Sequence, residues 1–186
     1  MTTFGFDKSK AVNACLFILN KTGKLDYHKL FKILYFAEQK HLIKYGRPIT
    51  GDEYQAMRFG PVPSIIYDIF KAVEHDNNPF INSDEYRNQF EISRTGGNPC
   101  VQAKSSADTD ELAISELELL DASIAENKDL SFERLTAKSH DKAWETYSKS
   151  ADIEMNYLDI AKAGGADENI LKYIQLLSEN TSAPLV

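Results

Sequence analysis

The chain has 186 residues, enough for one domain with a sizeable core, and its 42% hydrophobic and 26% charged residues exclude wholesale disorder. The formal net charge of −7, from 21 basic and 28 acidic side chains, disfavours general attraction to nucleic acid, because phosphate neutralisation needs excess Lys and Arg. No apolar run approaches the roughly 18 residues of a membrane span, and the opening MTTFGFDKSK lacks the apolar stretch of a signal peptide, so a cytoplasmic location is expected.

Asp7 is placed to cap a first helix over 8–20, in which Val12, Cys15, Leu16 and Leu19 recur at helical spacing and Gly23 provides the stop. Asp26 caps a second helix to about residue 45, ended by Gly46 and by Arg47-Pro48, which forbids continuation. Residues 47–53 read as a turn. YQAMRF (54–59) alternates as a short strand, with Gln55, Met57 and Phe59 on one side and Tyr54, Ala56 and Arg58 on the other; Phe59 is expected in the core and Arg58 at the surface.

Gly60-Pro61-Val62-Pro63-Ser64 reads as a rigid corner, with Pro63 suited to the first turn of a helix over 64–75. Ile66, Ile69, Phe70 and Val73 form that helix's inner stripe. HDNNPF (75–80) is a loop. A β-hairpin follows over 89–104, turning at Gly96-Gly97. Residues 105–111 read as loop.

Ser115-Glu116-Leu117-Glu118 has the form of a capping box and opens a helix to about Asn127. Asp129 or Ser131 starts a short helix carrying Leu135, and Asp141 caps a turn or helix carrying Trp144 and Tyr147. Two helical pieces, 156–163 and 167–180, are separated by Gly164-Gly165, with Ile170, Tyr173, Ile174 and Leu177 on one face of the last. Residues 1–180 are expected to form one domain, with 181–186 a frayed tail.

Few residues point to chemistry. Cys15 and Cys100 are far apart and form no CxxC, and the four histidines (His28, His41, His75 and His140) share no ligand spacing, so neither metal nor cofactor is expected. Ser139-His140-Asp141 cannot make a triad, whose members come from separated segments; His140 and Trp144 instead make a packing pair. The charge is uneven. Residues 1–50 hold nine basic against three acidic side chains (+6), and residues 105–134 hold two against nine (−7).

The block Leu34-Tyr35-Phe36-Ala37-Glu38, His41-Leu42 and Tyr45-Gly46-Arg47-Pro48-Ile49-Thr50-Gly51-Asp52 continues through Tyr54, Ala56, Met57 and Phe59-Gly60-Pro61-Val62-Pro63-Ser64 to Tyr67-Asp68. It resembles the signature of the SocA-like Panacea family, also met as phage-associated proteins. Ser115-Glu116-Leu117-Glu118-Leu119-Leu120-Asp121, and Leu135 with Ser139, His140 and Trp144, are similar to that family's second half. The resemblance implies an antitoxin-type domain that neutralises an adjacently encoded toxin by direct binding. In the family's founding member it implies delivery of that toxin to a protease as well. It carries no catalytic residues.

An α+β, mostly helical domain with a small antiparallel sheet, made by the strand at 54–59 and the hairpin at 89–104, is therefore expected. Gly46, Pro48, Gly51, Gly60, Pro61 and Pro63 stiffen the turns and corners, with Tyr67, His140 and Trp144 as further scaffold. Tyr45, Arg47, Tyr54 and Arg58 offer the aromatic and Arg anchors of a protein interface. Glu116, Glu118 and Asp121 would steer a basic partner. A nucleic-acid-binding regulator, motivated by the +6 segment, and an enzyme with an unrecognised site are the two alternatives.

Overall fold

The computed structural model describes residues 2, 4–76, 79 and 81–182, without the side chains of residues 180–182. Of the tail expected at 181–186, residues 181 and 182 continue the last helix, and 183–186, like part of the 75–80 loop, lie outside the described residues.

Helix α1 (Lys8–Thr22) starts where Asp7 accepts from the Lys10 N–H at 3.0 Å and ends where the Gly23 N–H reaches the Leu19 carbonyl. A short strand β1 (Leu25–Asp26) leads into α2 (Tyr27–Tyr45), which Asp26 caps through the Lys29 N–H at 2.8 Å. The run Leu30–Ala37 is apolar on every side apart from Lys32, and a helix that is hydrophobic all round belongs in the middle of a domain. Accordingly α2 serves two cores. Leu30, Phe31, Ile33, Leu34 and Ala37 face one, while Tyr35, Phe36 and Leu42 face the other.

The first core holds α1, α3 (Ser64–His75), α5 (Ile114–Asn127) and a three-stranded sheet of order β1-β5-β4, with β4 (Phe90–Thr95) and β5 (Asn98–Ala103) after the short α4 (Ser83–Arg87). Gly96 and Gly97 turn this hairpin with φ of 58° and 87°, the left-handed pair a two-residue turn requires. Ile66, Ile69 and Phe70 are buried as expected, with Val73 half-buried; Phe70 packs on Phe31 and Tyr27 of α2 and on Phe90. The second core gathers α6 (Phe132–Ser139), α7 (Lys142–Tyr147), α8 (Tyr157–Ala163) and α9 (Glu168–Ser182) around the other face of α2.

The fold is α+β and mostly helical, but the sheet differs from expectation. Strand β2 (Tyr54–Met57) does not join the 90–103 hairpin. It pairs with β3 (Gly60–Pro63), which the prolines had marked as a corner. Pro61 lies opposite Ala56 and Pro63 opposite Tyr54; these pairs exchange no ladder hydrogen bond, so the missing N–H groups cost nothing there. The outer edge of β2 is covered by residues 153–155, where Met155 N–H donates to Tyr54 O at 2.7 Å and Ala56 N–H to Ile153 O at 2.8 Å.

Candidate functional site

Two regions grow from α2. The first is the turn after it. Gly46, at φ 70°, closes the helix. Glu38, fully buried one helical face inward, then takes the returning chain: its carboxylate accepts from Ile49 N–H at 2.5 Å, Thr50 N–H at 2.9 Å and the Thr50 hydroxyl. Asp52 does the same one step later, accepting from Ile65 and Ile66 N–H at 2.9 Å each and so capping α3 beyond the prolines. Burial pushes Glu38 up to about 7 and Asp52 up to about 6, against the opposing pull of these hydrogen bonds. His41 Nδ1 donates to Arg47 O at 2.7 Å, and Tyr157 OH donates to Asp52 O at 2.6 Å. At Gly51, φ is 69° and a Cβ would strike the Gly5 carbonyl.

Two residues expected at an interface, Tyr54 and Glu116, are instead buried. Tyr54 is 1% exposed and packs on Tyr35, because the inward face of β2 carries Tyr54 and Ala56. Phe59, expected in the core, is 48% exposed: it sits with Arg58 in the two-residue turn between Met57 and Gly60, beyond the strand's alternation. Glu116 is fully buried, not a steering charge. Helix α5 begins at Ile114 instead of after Ser115, so Glu116 is its third residue and accepts from Ala113 N–H at 2.8 Å. It also binds Lys10 Nζ at 2.6 Å and faces Arg47 at 3.6 Å. Pro48, Pro61 and Pro63 are buried. Tyr45 is half-buried on His41, Arg47 and Glu118 are exposed, and half-exposed Asp121 pairs with Lys21 at 2.5 Å.

The stacked pair is present, with the His140 and Trp144 rings parallel at 3.4 Å. It joins the end of α6 to α7, so no single helix carries it. Asp141 caps α7 through Trp144 N–H at 3.0 Å and accepts from Tyr35 OH at 2.7 Å. Trp144 Nε1 donates to Met57 O at 2.8 Å, which holds the β2–β3 hairpin against α7.

The second region is a cleft of about 640 Å³ beside the N-terminal half of α2. Tyr27, His28, Phe31 and Lys32 form one wall; Met57, Phe59, Gly60 and Val62 form another; Tyr67, Asn98, Pro99 and Phe132 close it. At its mouth Phe59 and Phe132, 48% and 44% exposed, meet edge to face at 5.3 Å. The Arg58 guanidinium lies over Phe59 at 5.1 Å, and His28 lies against Phe132 at 4.1 Å. His28 Nε2 bonds Thr136 Oγ1 at 3.0 Å, and burial lowers its pKa to about 4, so it is neutral at physiological pH. Lys32 is 1% exposed, and its one acceptor among the described residues is Pro61 O at 2.8 Å. Burial alone lowers Lys32 to about 7. Sequence reasoning passed over Lys32 and Phe132 and weighed His28 only as a metal ligand. The available signal was a lone Lys inside the apolar run Leu30–Ala37.

The antitoxin SocA-like, Panacea domain family model matches residues 30–145, well over half of the chain. The chain belongs to this family. A relative is the antitoxin SocA of Caulobacter vibrioides (strain NA1000 / CB15N), 37% identical over 59 residues. That segment is 30% of this chain and 31% of the relative, so the similarity spans under a third of that protein. No solved structure matches. The Panacea span takes in the buried turn, the β2–β3 hairpin, Lys32 and the His140–Trp144 pair. Helices α8 and α9, which complete the second core and supply Tyr157, lie outside it. No helix among the described residues is long and apolar enough to cross a membrane.

Proposed function

We propose that this protein is an antitoxin that neutralises a partner toxin by binding it directly, in the cytoplasm, with no chemistry of its own. Membership of the antitoxin SocA-like family is the observation that carries this reading. The surface is compatible with it. Phe59 and Phe132 are large apolar groups left in solvent beside Arg58, and aromatic and Arg side chains dominate interface hot spots. Phe59 and Arg58 sit on a two-residue turn anchored by Trp144 and Phe132 on the first turn of α6, so little freedom is lost on association. Arg58 thus remains an anchor, now with Phe59 and Phe132 in place of Tyr54. Tyr45 and Arg47 form a secondary contact, and Glu118 with Asp121 steers a basic partner. Delivery of the bound toxin to a protease is the finer role the SocA resemblance implies.

The test is co-expression with the protein encoded by the adjacent reading frame. Relief of its growth arrest together with a co-purifying complex is the expected result. Undiminished arrest with no complex would overturn the reading, and loss of the toxin only when a housekeeping protease is present would establish the adaptor role.

A further inference from the structure

Lys32 has no structural account that its position requires. A buried ammonium loses its hydration, and the loss is offset only when its donors are satisfied or a counter-charge is near. Here one of three donors is used, on Pro61 O at 2.8 Å, and no described carboxylate forms an ion pair with it. The one carboxylate in the cleft wall, Asp26, is turned to the start of α2, where it caps the helix. An apolar side chain here would fill the same space without that cost. The surroundings are those of a small-molecule site: a cleft of about 640 Å³, within the usual range for such sites, lined mainly by apolar and aromatic groups with few polar ones. Since an ammonium only donates, the missing partner is an acceptor. With one buried cation and neutral His28 nearby, a single negative charge balances the site.

We propose that this cleft is a binding site for a small apolar monocarboxylate, its carboxylate held by Lys32 and its apolar body lying among Phe31, Met57, Val62 and Phe59. The site stands independently of the antitoxin reading. It carries a proton-linked signature. Burial leaves Lys32 losing its proton near neutrality, whereas a bound carboxylate requires the ammonium. The titratable and charged groups around it are Asp26, Tyr27 and His28 from the start of α2, with burial raising the Tyr27 phenol, Tyr67 from α3, His140 from the end of α6 and Arg58 at the hairpin tip. Of these, both histidines are held neutral by burial, so Lys32 is the group that changes charge between neutral and mildly alkaline pH.

The reporter is already in place. Trp144 is the one tryptophan of the chain, and it bonds the Met57 carbonyl in the cleft wall. Its fluorescence would be followed as 3-phenylpropionate, or the uncharged 3-phenylpropionamide, is added to the parent and to Lys32→Met. The carboxylate should bind the parent about tenfold more tightly than the amide, as expected for one charge-assisted hydrogen bond, and this preference should vanish in Lys32→Met. In the parent, carboxylate affinity should fall about tenfold per pH unit above pH 7, while amide affinity stays level. The pH series uses only the parent protein, so it decides the matter even if the variant fails to fold. Equal affinities for acid and amide, a preference that survives in Lys32→Met, or a pH-independent carboxylate affinity would each overturn the proposal and leave Lys32 as a pin for the β2–β3 hairpin.

Discussion

The turn after α2 and the cleft beside its first half bury opposite charges on the same helix and treat them in opposite ways. Glu38 is surrounded by donors: two backbone N–H groups and a hydroxyl converge on its carboxylate. Lys32 has a single carbonyl. The first arrangement is closed and holds the returning chain, Asp52 and the start of α3 in register. The second leaves donors unused next to a cavity with aromatic groups exposed at its mouth. A satisfied buried charge is architecture, and an unsatisfied one beside a cleft is a place for something to bind.

Glu38→Ala leaves the Ile49 and Thr50 N–H groups buried without acceptors, and should cost about 3–5 kcal/mol in chemical denaturation. That matches the about 3–5 kcal/mol expected for the core truncation Phe70→Ala. A loss under about 1 kcal/mol at Glu38 would show that the turn holds itself.

The pH dependence of stability separates the two charges by sign. Glu38 is raised to about 7 in the folded state, so the folded protein takes up its proton before the unfolded chain does. Its contribution is fully present at pH below about 4.5 and is lost as pH rises through 7. Asp52 acts in the same direction, up to about 6. Lys32 is lowered to about 7, so its contribution is present above the unfolded value of about 10.4 and is lost as pH falls toward 7. The stability gap between Lys32→Met and the parent should therefore shrink as pH rises from 7 to 10, by at most about 1.4 kcal/mol per unit. A constant gap across that range would show that Lys32 is not buried in solution.

At the cleft mouth, Phe59→Ser with Phe132→Ser should change stability by less than about 1 kcal/mol, since both rings are nearly half exposed. The same pair should speed dissociation of the toxin complex about tenfold or more. Unchanged dissociation would move the interface elsewhere. The smallest effect is expected at the acidic helix, where Glu118→Lys with Asp121→Lys should slow association a few-fold at low salt and not at high salt. An effect on dissociation instead would make these residues contacts.

Much of the fold was legible because its signals are local. Asp7, Asp26, Ser131 and Asp141 cap helices through their own neighbours, and Gly46, Gly96 and Gly97 adopt the left-handed conformations their turns need. These depend on a few bonds of chain and hold in any tertiary setting. The capping box lies two residues earlier than Ser115 marks it: Glu116 accepts from Ala113 N–H locally and is also held by Lys10, 106 residues away in the chain.

Local pattern accounts for the long helices and most of their caps, the 90–103 hairpin, the stop after α2 and, through the block from Leu34 to Asp68, the family; it left out α4 and misplaced the start of α5. Tertiary packing set which side of β2 meets the core. It paired Leu25–Asp26 with β5 and turned the proline corner into a strand by placing both prolines at pairs without ladder bonds. It buried Tyr54 and Glu116, and it brought Phe59 of the β2–β3 turn beside Phe132 of α6. Lys32 is the plainest case. Its place in an apolar run is visible in sequence, but the absence of a counter-charge among the described residues around it is a property of packing. Helical periodicity specifies a direction along a helix, whereas burial and pairing depend on whatever the distant chain brings to that face.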